Sequence, residues 1–299
     1  MGPDGSEASY ALIVVHYRDP AAAHGLLRSA SGWSVPPGVV VVVDNSGDFP
    51  EPAGVSGGRA PDVAVLRPAS NLGYGGAVNR GLALARCLGF TYALVATQDC
   101  RLASTACEHL LSALRETEAA AVAGPLLTYS SAPGTVFSAG GKLTPYGRTL
   151  HPDQGAALAD LRIRDPRVVD WLDGACLLVR VEALDSVGDF DERYFLYVEE
   201  VDLQFRLRLA GNVCLLVPRA MGSQEPGPYS LYYKYRNLCT FTARHRARLH
   251  LWPWYVALPK DSMRMVRQGR FSEPFWAIRG LVDWKRGRMG AQPSRIWAR

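Results

Sequence analysis

The stretch that decides the fold is Val39-Val-Val-Val-Val43-Asp44-Asn45-Ser46, in which five consecutive β-branched residues are followed by three polar ones. Comparable apolar runs lie at residues 11–15, 63–66 and 92–96. A strand that is apolar on both faces is typical of a parallel sheet covered by helices on both sides. The polar residues after each run are therefore expected at the carboxyl edge of the sheet, where sheets of this kind bind ligands.

Segments with helical spacing separate these runs. They are residues 21–31, 77–88 and 105–117, and the resulting β-α-β order predicts an α/β sandwich with right-handed crossovers. The second half differs, because residues 126–149 are rich in Gly, Ser and Thr and predict hairpins and loops. Strands at 175–179 and 213–217, a helix at 181–186 and an amphipathic helix at 202–210 extend the sheet. No internal repeat interrupts this pattern.

Composition and charge narrow the class of protein. The 299 residues are 48% hydrophobic and 20% charged, which is the balance of a folded globular protein and excludes a disordered chain. The six cysteines form no Cys-x-x-Cys pair, so we expect free thiols in a reducing compartment and no structural zinc. The N-terminus lacks the features of a secretory signal, and no apolar run is long enough to span a membrane. These features predict a cytoplasmic protein.

The positive charge is concentrated at the C-terminus. The net charge is +5, but residues 244–299 hold 13 Lys and Arg against three Asp and Glu, and they hold five of the seven tryptophans. We therefore divide the chain into a domain at 1–243 and a basic, Trp-rich helical extension at 244–299. The extension suits peripheral contact with an anionic membrane, here the inner face, or packing on the domain or on a second copy in a homodimer. No recognised nucleic-acid module is present, so no nucleic-acid partner is expected.

A glycine-rich segment begins at Asn71 and reads Asn-Leu-Gly-Tyr-Gly-Gly-Ala-Val-Asn-Arg-Gly81. Backbone N–H groups exposed in such a turn before a helix suit a phosphate, and a plain tight turn is the alternative. A dinucleotide fingerprint is excluded, because its third glycine position holds Val78.

Three further residues at the predicted carboxyl edge of the sheet could bind a nucleotide or a cation. Asp44 could accept hydrogen bonds from a nucleobase or ribose, or make an Asx turn. Tyr17 could stack on a base or pack at the sheet edge. Asp99 could hold Mg²⁺ or Mn²⁺ at a diphosphate, or cap the next helix.

An acidic group, Glu199-Glu200-Val-Asp202, opens the predicted amphipathic helix. Acids in a first helical turn complement the helix dipole, which is their ordinary role. A carboxylate held at a rigid helix end and aimed into a cleft is also what activation of a hydroxyl by a general base needs.

Taken in order, these motifs resemble those of inverting glycosyltransferases of the GT-A fold, family 2, and of their bacterial rhamnosyltransferase-like branch. The resemblance runs from about residue 11 to residue 245. The remaining motifs that carry it are Trp171-x-x-Gly174-Ala-Cys-x-x-Val-Arg180, Val-Gly188-x-Phe-Asp-Glu-x-Tyr-Phe-Leu-Tyr-x-Glu-Glu-x-Asp-Leu, and Tyr-x-Tyr-Arg236-Asn237.

The resemblance implies an α/β fold of the GT-A type, a Rossmann-like sandwich with a mixed central sheet and a C-terminal helical extension. It implies transfer of a sugar, such as rhamnose from a dTDP-sugar, to a hydroxyl of a saccharide, a lipid-linked acceptor or a natural product. Glu200 would be the general base, with Glu199 and Asp202 in support. Residues implied at the donor and its sugar pocket are Tyr17, Asp44, Asn71, Gly73, Gly75, Gly76, Asn79, Gln98, Asp99, Gly174, Ala175, Arg236 and Asn237.

The chain departs from the family pattern at the metal site. Thr97-Gln98-Asp99-Cys100 stands where many relatives have Asp-x-Asp, and the segment after Pro218 lacks the histidine that relatives often carry. A Mg²⁺ or Mn²⁺ cofactor at Asp99 therefore stays open, with Arg236 and Lys234 as alternative sources of positive charge. The alternative function is a catalytically impaired GT-A domain that binds a nucleotide sugar or acts as a scaffold.

Overall fold

A mixed β-sheet organises the chain in the structure, a computed structural model that describes residues 10–50, 61–145, 147–227, 230–245 and 252–291. The strands are β1 (Tyr10–His16), β2 (Val39–Asp44), β3 (Asp62–Leu66), β4 (Tyr92–Thr97), β5 (Arg101–Leu102), β6 (Ala120–Tyr129), β7 (Val136–Ser138), β8 (Lys142–Leu143), β9 (Thr149–Leu150), β10 (Arg167–Val169), β11 (Cys176–Arg180) and β12 (Val213–Gln224). The α-helices are α1 (Pro20–Ala30), α2 (Gly73–Cys87), α3 (Ala106–Glu116), α4 (Glu199–Leu209), α5 (Leu231–Arg244), α6 (Trp252–Arg267) and α7 (Glu273–Lys285).

The main sheet has the order β10-β12-β6-β11-β4-β1-β2-β3, with β5 paired to β12 and β7 paired to β6. Strands β4, β1, β2 and β3 run parallel, whereas β11 lies antiparallel between β4 and β6. The predicted mixed central sheet of the GT-A fold is thus confirmed. Strands β8 and β9 form a separate two-stranded sheet.

Alternate residues of the central strands face opposite layers of the sandwich. Leu12 and Val14 of β1 pack with Leu26 of α1 and Leu110 of α3, while Ile13 packs with Leu82 of α2 on the other face. Helix α2 lies unusually close to β1, because a Cβ atom at Gly81 would lie 2.4 Å from Ile13 Cγ2. The buried β-branched strands are therefore covered on both sides, as their composition predicts.

Two elements in the second half of the chain differ from the sequence prediction. The predicted helix at 181–186 is a 3-10 turn, Val181–Leu184. The ten-residue strand β6 is buried almost throughout, and sequence reasoning missed it. Its run is rich in alanine and is interrupted by Gly124 and Pro125, residues that are disfavoured inside strands. The backbone tolerates them because β12 has a register irregularity opposite this point, between Val217 and Met221.

Helices α6 and α7 pack against α5 and share a buried cluster with α4. The cluster includes Val201 of α4, Phe241 of α5, Met265 of α6 and Ala277 of α7. A Cβ atom at Gly280 would lie 2.4 Å from the main-chain oxygen of Tyr232, so glycine permits the close contact of α7 with α5. The predicted C-terminal helical region is confirmed, and the domain boundary after residue 243 stays a prediction.

Three properties of the chain bear on the sequence predictions. All six cysteines are free, and five of them are buried. Among the described residues, no helix has the length and apolar character needed to cross a membrane. Trp297 and the side chains of Trp252 and Trp254 lie outside the described part of the structure.

Candidate active site

The side chain of Gln98, directly after β4, forms hydrogen bonds with the main chain of Tyr17, directly after β1. These bonds join the carboxyl ends of the two strands. Gln98 Oε1 accepts a hydrogen bond from the Tyr17 N–H at 3.0 Å, and Gln98 Nε2 donates to the Tyr17 oxygen at 2.9 Å. The Tyr17 side chain is left 39% exposed at this edge. Gln98 therefore fixes the position of Tyr17, and contact of either residue with a nucleotide stays a prediction.

Asp44 is buried at the end of β2 and organises the turn that follows. Its carboxylate accepts the main-chain N–H groups of Ser46, Gly47 and Phe49 at 3.1, 2.8 and 3.0 Å. Burial alone would raise the pKa of Asp44, but these hydrogen bonds outweigh it and hold the pKa below its usual value. The structure thus shows the Asx-turn alternative, and a bond from Asp44 to a nucleobase or ribose stays a prediction.

His16 is fully buried beside this turn and joins it to Gln98. Its Nδ1 lies 2.8 Å from Gln98 Oε1, and its Nε2 lies 2.8 Å from Asp48 Oδ1. His16, Asp44 and Asp48 place their ligand atoms close enough together to hold a metal ion. Sequence reasoning missed this group, and Asp99 is not a member of it.

The glycine-rich segment is helical, which corrects the prediction of an open loop. Gly73 begins α2 with a φ of +74°, and a Cβ atom there would lie 2.1 Å from the Phe195 oxygen. A Cβ atom at Gly75 would lie 3.1 Å from Phe190 Cβ, and one at Gly76 would lie 3.0 Å from Leu72 Cβ. These glycines let α2 approach the segment that precedes Glu199, so the plain structural role predicted as the alternative is present. A nucleotide contact of Gly73, Gly75 or Gly76 stays a prediction.

The two asparagines of the same segment bind main-chain atoms. Asn71 Oδ1 accepts the Gly73 N–H at 2.8 Å. Asn79 accepts the Phe190 N–H at 3.0 Å and donates to the Phe190 oxygen at 2.9 Å, which ties α2 to the segment before α4. Both side chains therefore hold backbone in place, and neither lines the acidic cavity described next.

A cavity of about 560 Å³ opens between the end of β4 and the start of α4. Glu199, Glu200, Gly174 and Ala175 line it together, so the structure brings these four predicted residues into one site. A Cβ atom at Gly174 would lie 3.3 Å from Glu200 Cγ, so the glycine leaves room for that side chain. Other lining residues include Tyr74, Thr97, His151, Trp171, Asp173, Leu196, Gln224 and Arg264.

The chain enters α4 through left-handed backbone. Phe195, Tyr197 and Val198 have φ values of 66°, 69° and 77°. Such values are uncommon for residues other than glycine and most unfavourable for a β-branched residue such as Val198. We call residues 195–198 the strained loop. It leads directly into Glu199 and Glu200 and thereby sets the direction of both side chains.

The carboxyl groups of the cavity resist ionisation. Burial raises the pKa of Glu199 to about 7, and Glu199 Oε2 has no hydrogen-bond partner among the described residues. Burial and the neighbouring charge of Glu199 raise the pKa of Glu200 well above its usual value. Burial likewise raises the pKa of Asp173. A cluster of carboxyl groups with raised pKa values in a cleft marks a candidate site for proton transfer.

Asp202 points away from the cavity and is fully buried. It accepts hydrogen bonds from Arg206 Nε at 2.8 Å, Tyr194 at 3.2 Å and His245 Nε2 at 2.9 Å. Burial alone would raise the pKa of Asp202, but His245, Arg206 and Arg244 together lower it. Its part in the predicted catalytic group is therefore to anchor α4, and direct contact with substrate does not fit this placement.

Arg236 and Asn237 lie beneath the strained loop, and their predicted contact with a diphosphate stays a prediction. Both residues are fully buried. Arg236 donates to the main-chain oxygens of Tyr194 at 2.7 Å and Gly290 at 2.6 Å. Lys234 is likewise engaged, at 2.6 Å from Asp261. The guanidinium of Arg236 is therefore bound by main-chain oxygens on both sides of it.

Asp99 is exposed at the end of β4. Each of its carboxylate oxygens lies 3.4 Å from Gln224 Nε2, and Gln224 Oε1 accepts from the Thr97 hydroxyl at 3.2 Å. Gln224 is the last residue of β12. Its amide group faces Asp99 as a hydrogen-bond donor.

Sequence reasoning missed several residues of the cavity. Asp173 lies inside the quoted Trp171-x-x-Gly174 motif at an unspecified position, so a carboxylate beside Gly174 could have been noticed. Tyr74 donates to the Gly174 oxygen at 2.5 Å from within the glycine-rich segment. His151 packs edge-on against Trp171, with ring centroids 4.6 Å apart, and belongs to no motif. Only the folded chain brings His151 to this site.

The sheet order and the acidic cavity at the carboxyl edge of β4 agree with the fold and the site expected of a glycosyltransferase with the GT-A fold. The family described as glycosyltransferase like family 2 matches residues 8–248, and the chain belongs to it. The resemblance found in the sequence and the expectation of an enzyme are thus confirmed.

Two characterised relatives share sequence with the chain. N-acetylglucosaminyl-diphospho-decaprenol L-rhamnosyltransferase of Mycobacterium tuberculosis is 33% identical over 232 residues, which cover 70% of this chain and 73% of that protein. Rhamnosyltransferase WbbL of Escherichia coli is 50% identical over 51 residues, which cover 17% of this chain and 19% of that protein.

Solved structures share the fold at low sequence identity. GalNAc-T7, crystallised with UDP, GalNAc and Mn²⁺, superposes with a TM-score of 0.59 at 14% identity, over 78% of this chain and 48% of that chain. Mannosyltransferase PcManGT of Pyrobaculum calidifontis, in complex with GDP-Man and Mn²⁺, superposes with a TM-score of 0.55 at 11% identity, over 94% of this chain and 88% of that chain.

The raised pKa of Glu199 predicts a pH-dependent gain in stability on substitution. Its pKa rises on folding from a usual value of 4.5 to about 7, so the folded state binds the proton more tightly. The contribution of this group to the free energy of unfolding is therefore full below pH 4.5 and is lost as the pH rises through 7. We expect Glu199→Gln to gain about 2 kcal/mol relative to wild type between pH 5 and pH 8.

Urea denaturation at a series of pH values measures this difference. Glu116→Gln, which removes one exposed carboxylate of α3, controls for the change in net charge. A difference between Glu199→Gln and wild type that stays constant from pH 5 to pH 8 would contradict the prediction.

Proposed function

We propose that this glycosyltransferase moves rhamnose from a dTDP-sugar to a hydroxyl of a lipid-linked saccharide, with inversion at the anomeric carbon. The observation that carries the proposal is the position of Glu200, at the first turn of α4 and in the wall of the 560 Å³ cavity. The name of the Mycobacterium tuberculosis relative, a rhamnosyltransferase that acts on N-acetylglucosaminyl-diphospho-decaprenol, supports rhamnose as the sugar and a lipid-linked saccharide as the acceptor.

In the proposed reaction, Glu200 is the general base. Its carboxylate takes the proton of the acceptor hydroxyl while that oxygen forms a bond to C1 of the donor sugar. The bond from C1 to the diphosphate oxygen breaks on the opposite side, and the nucleoside diphosphate leaves with the electron pair. A base is most effective when its pKa lies near the working pH, and the raised pKa of Glu200 moves it in that direction.

Glu199 and Asp202 support Glu200 in different ways. Glu199 is buried beside it, and its charge raises the proton affinity of Glu200. Asp202 binds Arg206 and His245, which fixes the first turn of α4 against the rest of the molecule. For the donor we propose contacts from Tyr17 and the carboxyl edge of β2 and β4.

We propose that Asp99 holds a divalent cation, Mg²⁺ or Mn²⁺. Its exposed carboxylate offers the hard oxygen ligands that these cations prefer, and such cations commonly combine one or two protein carboxylates with substrate phosphates. The exposed carboxylate of Asp99 therefore fits a divalent cation. Asp99 would hold the cation, which would supply positive charge next to the departing diphosphate. Gln224 orients the Asp99 carboxylate through its amide group.

We further propose that α6 and α7 rest on an anionic membrane surface near the acceptor. Seven large apolar side chains are exposed on this segment, and they are Tyr255, Val256, Met263, Val266, Phe271, Phe275 and Ile278. We call them the apolar face of α6 and α7. Arg264 of α6 lines the cavity, so α6 borders the proposed acceptor site.

The charges around the apolar face favour an anionic surface. Residues 252–291 contain eight Lys and Arg and three Asp and Glu. Each acid is engaged with the protein: Asp261 with Lys234 at 2.6 Å, Glu273 with the Leu231 N–H at 2.8 Å, and Asp283 with Arg279 at 2.9 Å. Basic residues among exposed aromatic and aliphatic side chains are typical of helices that lie in a membrane interface. The cytoplasmic side of that membrane stays a prediction from the sequence.

The proposed chemistry predicts that Glu200→Gln loses transfer. The amide cannot accept the hydroxyl proton, and loss of a general base lowers kcat about 10²- to 10⁴-fold. The measurement is product formation from a panel of nucleotide sugars that includes dTDP-rhamnose, read by mass spectrometry. Glu182→Gln, an exposed carboxylate remote from the cavity, is the matched control. Full activity of Glu200→Gln, or nucleotide binding without turnover of any donor, would refute the proposal.

The proposed metal site predicts dependence on a divalent cation through Asp99. Because such a cation contributes several kcal/mol to stabilisation of the transition state, we expect exhaustive chelation to lower transfer about 100-fold or more. Asp99→Asn should raise the Mn²⁺ concentration needed for half-maximal activity. Asp48→Asn is the comparison variant. A shift in the Mn²⁺ requirement of Asp48→Asn alone would assign the cation to the His16, Asp44 and Asp48 group instead.

The proposed membrane contact predicts that the protein floats with phosphatidylglycerol vesicles and remains behind with phosphatidylcholine vesicles. A Phe271→Glu/Phe275→Glu double variant should lose flotation, because it replaces two apolar side chains with charges that the anionic surface repels. Leu209→Glu alters an exposed apolar side chain outside α6 and α7 and should still float. Failure of the wild type to float, with a dimer that the double variant disrupts in light scattering, would assign this face to a second copy.

A further inference from the structure

We infer that Arg236 and Asn237 are positioning residues, which clamp the strained loop and thereby aim Glu200 into the cavity. The inference rests on the proposed role of Glu200 as the base. It concerns how the chain holds that base in place, and it assigns to both residues a task different from binding the donor.

Asn237 is the centre of this clamp. Its Nδ2 donates to the main-chain oxygens of Tyr194 at 3.0 Å, Leu196 at 2.7 Å and Tyr197 at 2.9 Å. One side-chain amide thus binds three carbonyl groups of the segment in which three residues have positive φ. These bonds hold the carbonyl directions that the left-handed backbone requires, directly before Glu199.

Arg236 fixes the orientation of that amide. Its Nε donates to Asn237 Oδ1 at 2.9 Å, and because a guanidinium is only a donor, the atom that faces it must be the oxygen. The amide nitrogen is therefore turned toward the loop. Arg236 itself also donates to the Tyr194 oxygen at 2.7 Å, so both residues of the pair bind the same segment.

The guanidinium of Arg236 is held from three sides. Its central carbon lies 5.3 Å from the ring centre of Tyr232 and 5.0 Å from that of Tyr233. The Tyr233 ring in turn stacks on Phe195 of the loop, with ring centroids 5.6 Å apart. Arg236 Nη1 donates to the Gly290 oxygen at 2.6 Å.

Gly290 extends the clamp to the end of the described chain. Its N–H donates to the Arg193 oxygen at 2.9 Å, while its oxygen accepts from Arg236. The segment after α7 thus binds both the residue that orients Asn237 and the backbone that leads into the loop. The extension is therefore part of the device that positions the base.

Amide hydrogen exchange tests the clamp without any assumption about the substrate. In Asn237→Ala, exchange of the peptide that spans residues 194–202 should rise about 10-fold or more, while the strands of the central sheet keep their protection. Cys239→Ala, a buried substitution two residues further along α5, is the matched control and should leave that peptide protected. Unchanged exchange in a folded Asn237→Ala protein would overturn the inference.

Kinetics separates positioning from donor binding. At saturating dTDP-rhamnose, kcat of Asn237→Ala should fall about 100-fold, as expected when a catalytic group is displaced by about 1 Å. Arg236→Lys should show a smaller fall in kcat, and dTDP should bind both variants within about twofold of wild type by calorimetry. Weakened dTDP binding with an unchanged kcat would instead make the pair a diphosphate site and overturn the inference. If Asn237→Ala does not fold, Arg236→Lys carries both measurements.

The same assays distinguish failure of this inference from failure of the proposed base. If Glu200→Gln is inactive while folded Asn237→Ala and Arg236→Lys keep wild-type kcat and wild-type exchange, the base stands and the clamp fails. If Glu200→Gln is fully active while the exchange of residues 194–202 rises in Asn237→Ala, the clamp exists but the base has been wrongly chosen.

Discussion

The backbone of residues 195–198 is the constraint on which the site depends. Left-handed conformation costs an ordinary residue about 1–2 kcal/mol, and Phe195, Tyr197 and Val198 all adopt it. The surrounding chain offsets this cost on two sides. Gly73 gives the Phe195 oxygen room, and the Tyr74 N–H donates to that oxygen at 2.7 Å. Beneath the loop, Asn237 binds the carbonyl groups of Leu196 and Tyr197 in the loop and that of Tyr194 directly before it.

The acidic N-terminal part and the basic C-terminal part of the chain meet at α4. The net charge of +5 combines an acidic body with a basic C-terminal segment. The buried carboxyl groups of the cavity have raised pKa values, whereas His245, Arg206 and Arg244 lower the pKa of Asp202 in the same first turn of α4. Arg244 and His245 lie at the end of α5. Arg244 and His245 therefore help to anchor α4, the helix that carries the proposed base.

Sequence patterns predicted those elements whose local composition agrees with their tertiary setting. The apolar runs became β1, β2 and β4, which are buried on both faces, and β3, which is half-buried at the edge of the sheet. Strand β6 could not be found in this way, because its alanines, Gly124 and Pro125 are accommodated by neighbours distant in sequence. The motif that contains Glu199 and Glu200 predicted that these acids face a cleft, and both line the cavity. The bonds from Arg236 to the main-chain oxygens of Tyr194 and Gly290 could not be predicted, because a motif indicates that a residue matters without indicating which atoms it binds.

Most polar residues of the motifs share one physical task, which is to bind main-chain atoms of another segment. Gln98 pairs with Tyr17, Asn79 with Phe190, and Asn237 with the strained loop. An amide side chain suits this task because it presents one donor group and one acceptor, as the peptide group does. A site assembled from the ends of strands and helices needs such bonds, since its loops lack regular backbone pairing. The asparagines and glutamines of the motifs therefore hold the loops together through hydrogen bonds to the main chain. Glu200, Gly174 and Asp99 are the residues for which we propose contact with the substrates or the cation.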